Sequence, residues 1–485
     1  MRYWLCLLAL LGQTLGGAAA ANDLPDFGSP ADAVLNKTRE GQLGRSVMMQ
    51  LYNAGVVVED PLLTEYIQSI GARIASHAND GDHRFRFFVV KDDSINAFAM
   101  PGGYIGVNTG LILASENESE LAGVLAHEVS HVTQRHIARS LYDNQRTSIM
   151  TMAAMLAAAL LGAAADLPGD AMMGAITASQ AAAVQRQINY TRSNEHEADR
   201  VGIDVLAAAG FDPNAMATFF EKLSRRYSAA RTEIPDMLQT HPVTAVRIAE
   251  ARDRARRLPQ NRVEDSLDYG LTKARIEVMS ARNPQTALRI FESKPNPDSV
   301  ANRYGRALAL AALGRHDDAE RAFRELVREH PGVIAFRIGL GEALAKSGLT
   351  EQALEVYKDA VRLFPRNVPL TISYAEVLLE AERPDEAHAV LLDLLNNVPP
   401  TPAQIRLIAR AASAEGDTVN AYYYMAEYYV STGNLPHAIG QLRLALQLPD
   451  VHAVERARIN ARLDELIEYI PEEHREEVLR RAPGG

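Results

Sequence analysis

Apolar and polar positions along the chain change period several times. From Ala31 to about Arg73 they recur near helical spacing, with Leu43, Val47 and Leu51 on one stripe, which predicts helix. His83-Arg-Phe-Arg-Phe-Phe-Val-Val then partly alternates and is rich in β-formers, so it predicts a strand. Asn96-Ala-Phe-Ala-Met-Pro-Gly-Gly reads as a turn feeding a second strand over Tyr104–Asn108. Pro101 has no N–H for a ladder, which places that stretch at a sheet edge or in a turn. Ser115 to about Leu141 reads as one long helix, opened by a capping box between Ser115 and Glu118.

Thr147 to Ala165 carries no charge but holds eight alanines and three leucines, a weak transfer energy for a membrane span. Asp166-Leu-Pro-Gly-Asp170 breaks it, and a second uncharged stretch runs from Ala171 to Gln185. The expectation is a helical hairpin over residues 147–185 that covers a cleft or touches a membrane surface. A further helix is expected from about Ala181 to Ala209, ended by Gly210 and Pro213.

The chain beyond Ser266 repeats. Gly314, Gly348, Glu382 and Gly416 are evenly spaced, each followed five residues later by an alanine: Ala319, Ala353, Ala387, Ala421. Pro331, Pro365 and Pro399 keep the same period. Two marks in phase at a spacing of ~34 residues describe a tetratricopeptide-like helix–turn–helix array. Gly433 and Ala438 come half a period late, and Ser266 to Val300 has the length of a degenerate first repeat. Such a stack leaves a concave surface for peptides or partner domains. Tyr422, Tyr423, Tyr424, Tyr428 and Tyr429 cluster there and are expected to be mostly packing residues.

Composition narrows the class. The 485 residues are 47% apolar and 23% charged, enough for more than one core. A formal charge of −11 without a long Lys/Arg run disfavours nucleic acid as a partner. Arg2, the apolar run Tyr3–Leu11 and the small residues Gly16 to Ala21 form a signal-peptide pattern over 1–21, too short to span ~30 Å of hydrocarbon. Cys6, the only cysteine, would leave with it, so the mature chain has no disulfide. The expected location is a bacterial periplasm.

The chemistry centres on His127-Glu128-Val129-Ser130-His131, an H-E-x-x-H sequence on a predicted helix. The i, i+4 spacing sets both imidazoles on one face for one Zn²⁺, and Glu128 beside them is a general base for a metal-activated water. The apolar neighbours Leu121, Val124, Leu125, Val129 and Val132 argue against a chance match on a surface helix. Gln134 and Ile137 stand where a metzincin needs Gly and His, which excludes that class. His136 is expected at the surface or behind the metal ligands. In Asn194-Glu195-His196-Glu197-Ala198-Asp199, Glu195 and Asp199 share a helical face. Glu195 is the expected third ligand and Asp199 the acceptor for a ligand histidine's free N–H. Glu197 is expected to be solvated.

These motifs, with Arg192 to Arg200 and Thr240-His-Pro242, resemble the gluzincin peptidases that include the HtpX and CAAX prenyl protease types. The chain is most similar to the periplasmic branch that joins such a domain to tetratricopeptide repeats. The resemblance implies that Asn96, Ala97, Phe98, Ala99 and Met100 line the cleft as a substrate-binding edge, where peptide backbone pairs with them. It also implies a place near the metal for His241: a fourth, displaceable ligand or an oxyanion stabiliser, against a solvated helix-start histidine. Arg247 completes His-Pro-x-x-x-x-Arg, to bind a substrate carbonyl or to pair with Asp199.

The reading is therefore a mainly α, α+β zinc metallopeptidase domain over 30–260 with a small β-sheet, followed by a tetratricopeptide α-solenoid over 266–485. The resemblance implies outer-membrane β-barrel proteins, unfolded or misassembled, as substrates, and the barrel assembly machinery as a partner. The rivals are an assembly adaptor or chaperone with a largely silent zinc site, and a secreted degradative protease.

Overall fold

A computed structural model describes residues 30–78, 84–144, 192–230, 236–260, 263–449, 451–470 and 472–481. The expected signal peptide and the 147–185 hairpin lie outside the described residues. Among the described residues, no helix is long and apolar enough to cross a membrane.

The first helical stretch is two helices, Lys37–Asn53 and Pro61–Ala75. Gly55, at φ +69°, turns the chain after the first. Asp60 then caps the second, its carboxylate accepting from the Leu62 and Leu63 N–H groups, with Pro61 opening the first turn. The sheet has three strands: β1 (Arg86–Val90), β2 (Ala97–Met100) and β3 (Tyr104–Asn108), in the order β1-β3-β2. β3 runs parallel to β1 and antiparallel to β2. The stretch read as a turn is thus itself a strand at the sheet edge, and Pro101 lies in the turn after it.

The expected helix from Ser115 to Leu141 is broken and starts later. Asn117 is the cap of Glu118–Thr133, its side chain accepting from the Glu120 N–H at 2.9 Å. Ser115 instead ends the short helix Thr109–Ala114. The Glu118 carboxylate is drawn away from a capping box by the hydroxyls of Tyr66 (3.0 Å) and Ser266 (2.6 Å). At the other end Arg135 takes φ +52°, and a separate helix, His136–Asn144, follows. The Arg135 guanidinium holds that break by donating to the Leu35 carbonyl at 2.8 Å and pairing with Asp32.

Residues Glu118 to Val132 are all buried. Their helix packs against β2 and the helices Pro61–Ala75, Arg192–Ala208 and Ala215–Ala230. Gly202 allows one close approach: a Cβ there would sit 3.1 Å from the Ala126 carbonyl oxygen.

From Leu267 onward, antiparallel helix pairs stack in register with the sequence period, beginning with Leu267–Ser280 and Pro284–Ser293. Gly314, Gly348, Glu382 and Gly416 all have left-handed φ, between +58° and +92°. Ala319, Ala353 and Ala387 are fully buried, whereas Ala421 is half-buried, so the period decays toward the C-terminus. The five clustered tyrosines are half-buried. Tyr422, Tyr423 and Tyr429 pack on the C-terminal core and Tyr424 on the main repeat core.

The repeats also touch the N-terminal part. Tyr269 and Ile276 join its core, and Arg275 Nε pairs with Asp60 Oδ2 at 2.6 Å.

Candidate metal centre

Two separate segments converge on the face of the Glu118–Thr133 helix that carries His127 and His131. The helix Arg192–Ala208 delivers Glu195 and Asp199 one turn apart, and the segment after Asp236–Thr240 delivers His241. All five side chains are buried. His127, His131, Glu195 and His241 each offer one ligand atom, and these atoms lie within 4.8 Å of one another.

The spacing tests whether a metal fits. Four ligands at ~2.0–2.1 Å around a tetrahedral ion lie about 3.3 Å from each other. His127 Nε2 is 3.0 Å from His131 Nε2 and 3.3 Å from His241 Nδ1. Glu195 oxygens are 3.5 Å from the Nε2 atoms of both His127 and His131, and 3.0 Å from His241 Nδ1. Nitrogen and oxygen donors packed this closely, with almost no access to water, suit a divalent cation.

Residues 61–255 match peptidase family M48, and residues 281–334, 304–368 and 344–411 match tetratricopeptide-repeat families. A Vibrio cholerae relative is 44% identical over 322 residues, 65% of this chain and 66% of its own length. The beta-barrel assembly-enhancing protease of Escherichia coli K12 is 42% identical over 321 residues, 65% of both chains. These two alignments cover just under two thirds of the relatives. The Yersinia pestis protein of the same name is 33% identical over 458 residues, 94% of this chain and 93% of its own. The chain belongs to the beta-barrel assembly-enhancing proteases of family M48.

In this M48 site a second layer of charge surrounds the ligands. His127 Nδ1 is 3.0 Å from Asp199 Oδ1, and Arg247 binds Asp199 through Nε (2.7 Å) and Nη2 (2.8 Å). Arg247 Nη1 also reaches Glu195 Oε2 at 2.8 Å and the Pro242 carbonyl at 2.8 Å. Of the two roles open to Arg247, the geometry therefore supplies the pairing with Asp199. Arg247 is 2% exposed, and its guanidinium faces the carboxylates of Glu195 and Asp199.

The electrostatics follow from this crowding. Burial opposes a charge on His127, but the Asp199 and Glu195 carboxylates push its imidazole up to about 10. Burial works against the Glu195 carboxylate, yet the His241 and His127 imidazoles hold it far below the usual range. Burial likewise opposes ionisation of Asp199, and Arg247 and His127 outweigh it. His131 goes the other way: burial, then the neighbouring His127 and His241, push it well down. A metal entering this M48 cluster competes with the protons that its histidines carry.

Glu128 sits beside the ligands, fully buried. Burial pushes its carboxyl up, and His241 and His127 pull it only part of the way back. The Ala99 backbone N–H faces it from β2, so the free edge of that strand runs past Glu128. The side chains of Asn96, Ala97, Ala99 and Met100 are buried and that of Phe98 is half-buried, leaving mainly backbone at the edge.

Two residues given little weight in the sequence stand close to the ligands. His136 is fully buried, its Nδ1 2.8 Å from His131 Nδ1. Glu197 is not a solvated bystander: it accepts from Arg139 Nη1 at 2.9 Å and faces His136 Nε2 at 3.1 Å. Their helical phases pointed away from the ligands, and only the break at Arg135 brings His136 back.

Proposed function

We propose that the chain is a zinc metalloendopeptidase of the bacterial periplasm that cleaves unfolded or misassembled outer-membrane β-barrel proteins and supports their assembly. The observation that carries this reading is the buried His127, His131, Glu195 and His241 cluster with Glu128 beside it. The names of the relatives support the barrel-assembly context, and the 1–21 pattern supports export. The peptidase unit is assigned to 30–260 and the repeats to 266–485, where they present a surface for the barrel assembly machinery.

His127, His131 and Glu195 are the residues that would hold zinc. Bound there, zinc supplies polarisation of a peptide carbonyl and a water of lowered pKa. Glu128 takes a proton from the attacking water on its carboxylate and returns it to the leaving amine nitrogen. Its burial raises its affinity for that proton, which strengthens it as the base. The β2 edge holds the substrate extended by backbone pairing, a mode that depends little on side-chain identity. Asp199 orients His127 through Nδ1, and Arg247 fixes Asp199.

The rival, an adaptor with a silent site, draws on one observation: His241 Nδ1 occupies the fourth corner of the donor set. Mature wild type and Glu128→Gln, assayed for bound zinc and for cleavage of an unfolded barrel protein, separate the readings. One zinc in both with cleavage by wild type alone is the expected result. Zinc in both with cleavage by neither favours the adaptor and makes His241→Ala the next protein to assay. Absence of zinc from wild type rejects the proposal.

A further inference from the structure

We propose that His136 is a positioning residue of the metal centre, orienting His131 through an imidazole–carboxylate relay that ends on Glu197. This rests on the reading that His127, His131 and Glu195 hold zinc.

The two ligand histidines are backed differently. His127 Nδ1 meets a carboxylate directly, Asp199 Oδ1 at 3.0 Å, and that carboxylate is gripped by Arg247. His131 Nδ1 meets another imidazole, His136 Nδ1 at 2.8 Å, with the ring planes at 74°. His136 Nε2 in turn lies 3.1 Å from Glu197 Oε2, and Glu197 is gripped by Arg139 Nη1 at 2.9 Å. Both chains end in a carboxylate paired with arginine; the second has one imidazole inserted.

Two ring nitrogens 2.8 Å apart form a hydrogen bond only when one is protonated and the other is not. A histidine that ligates through Nε2 keeps its proton on Nδ1, so His131 donates and His136 Nδ1 accepts. The proton of neutral His136 then sits on Nε2, aimed at Glu197. One carboxylate thus sets both tautomers, as assigned from the hydrogen-bond network.

The backbone is arranged for this contact. In an unbroken helix, residue 136 would point about 140° away from residue 131. The left-handed Arg135 and the restart at His136 bring the ring back under His131, where it is fully buried.

The test compares wild type, His136→Ala, His136→Asn and Glu197→Gln. Zinc dissociation constants come from competition with a chromophoric chelator, release rates from chelator chase, and folding of each metal-stripped protein from thermal unfolding. His136→Ala is expected to bind zinc roughly 10–100-fold more weakly, while His136→Asn, whose Oδ1 can accept from His131, stays within about threefold of wild type. Glu197→Gln should release zinc measurably faster, since it keeps the shape and loses the charge.

Affinity of a folded His136→Ala within twofold of wild type would overturn the proposal. So would His136→Asn as weak as alanine, which would leave only a packing role. If His136→Ala does not fold, Glu197→Gln decides, because unchanged zinc release in it also overturns the relay. Absence of zinc from wild type is a different failure, which removes the metal reading itself.

Discussion

The peptidase unit and the repeats bury their side chains for opposite purposes. The repeat core is apolar and periodic: Phe291 fills the space over Gly305, and one repeat further on Phe323 fills that over Gly339. Each contact joins residues close in sequence, so the same solution is reused from one repeat to the next. Around the Glu118–Thr133 helix the core encloses instead His127, Glu128, His131, Glu195, Asp199 and Arg247. Charges removed from water must be compensated by one another, and the partners come from segments far apart in the chain. Packing is local and repeated in one region; in the other an apolar core also encloses a polar cluster whose members depend on one another.

That contrast can be broken from either side. Arg247→Met should have the largest effect, because it leaves Asp199 and Glu195 buried without their common cation, a loss of about 3–5 kcal/mol. Chemical denaturation together with zinc content checks it. A stable variant with full zinc would mean that the ligands do not depend on the ion pair.

Phe323→Ala removes a ring that is 1% exposed and should destabilise the repeats by about 3–5 kcal/mol while zinc content persists. Loss of zinc along with the repeats would show the two regions to unfold as one. Tyr269 and Ile276, which pack into the peptidase core, are where such coupling would pass.

Glu382→Gly tests the period itself. Glu382 stands at φ +58° where the other repeats use glycine, so the change should raise repeat stability by up to ~1 kcal/mol in denaturant titration. No gain would mean that the glutamate side chain compensates for its backbone. Smallest is Lys346→Ala: its exposed pair with Glu380 predicts an unchanged unfolding midpoint.

Legibility along the sequence follows the same division. The repeats were readable because glycine at a left-handed turn and alanine at a helix crossing are demanded at fixed offsets. Their reading faltered at Ala421, where the partner surface changes. The metal-site motifs were readable as pairs one helical turn apart, namely His127 with His131 and Glu195 with Asp199. Glu197 was not, and His136 was legible only as a residue at the surface or behind the ligands, since their phases are wrong on a continuous helix and the break at Arg135 carries no glycine or proline to announce it. The Ser115–Glu118 capping box was a sound local inference, overruled when Tyr66 and Ser266 supplied better partners for the Glu118 carboxylate.

Local spacing along the chain determined which side chains share a helical face, and thereby the donors available for a metal and the period of the repeats. Tertiary structure alone decided which faces meet. Glu195 reaches the His127–His131 face because Gly202 lets its helix close on Ala126 of the other. Arg247 turns to Asp199 and Glu195 because a buried charge is stable only beside its opposite. A helical period encodes direction around one axis and nothing about the neighbour across it, and the chemistry of this site is held in those crossings.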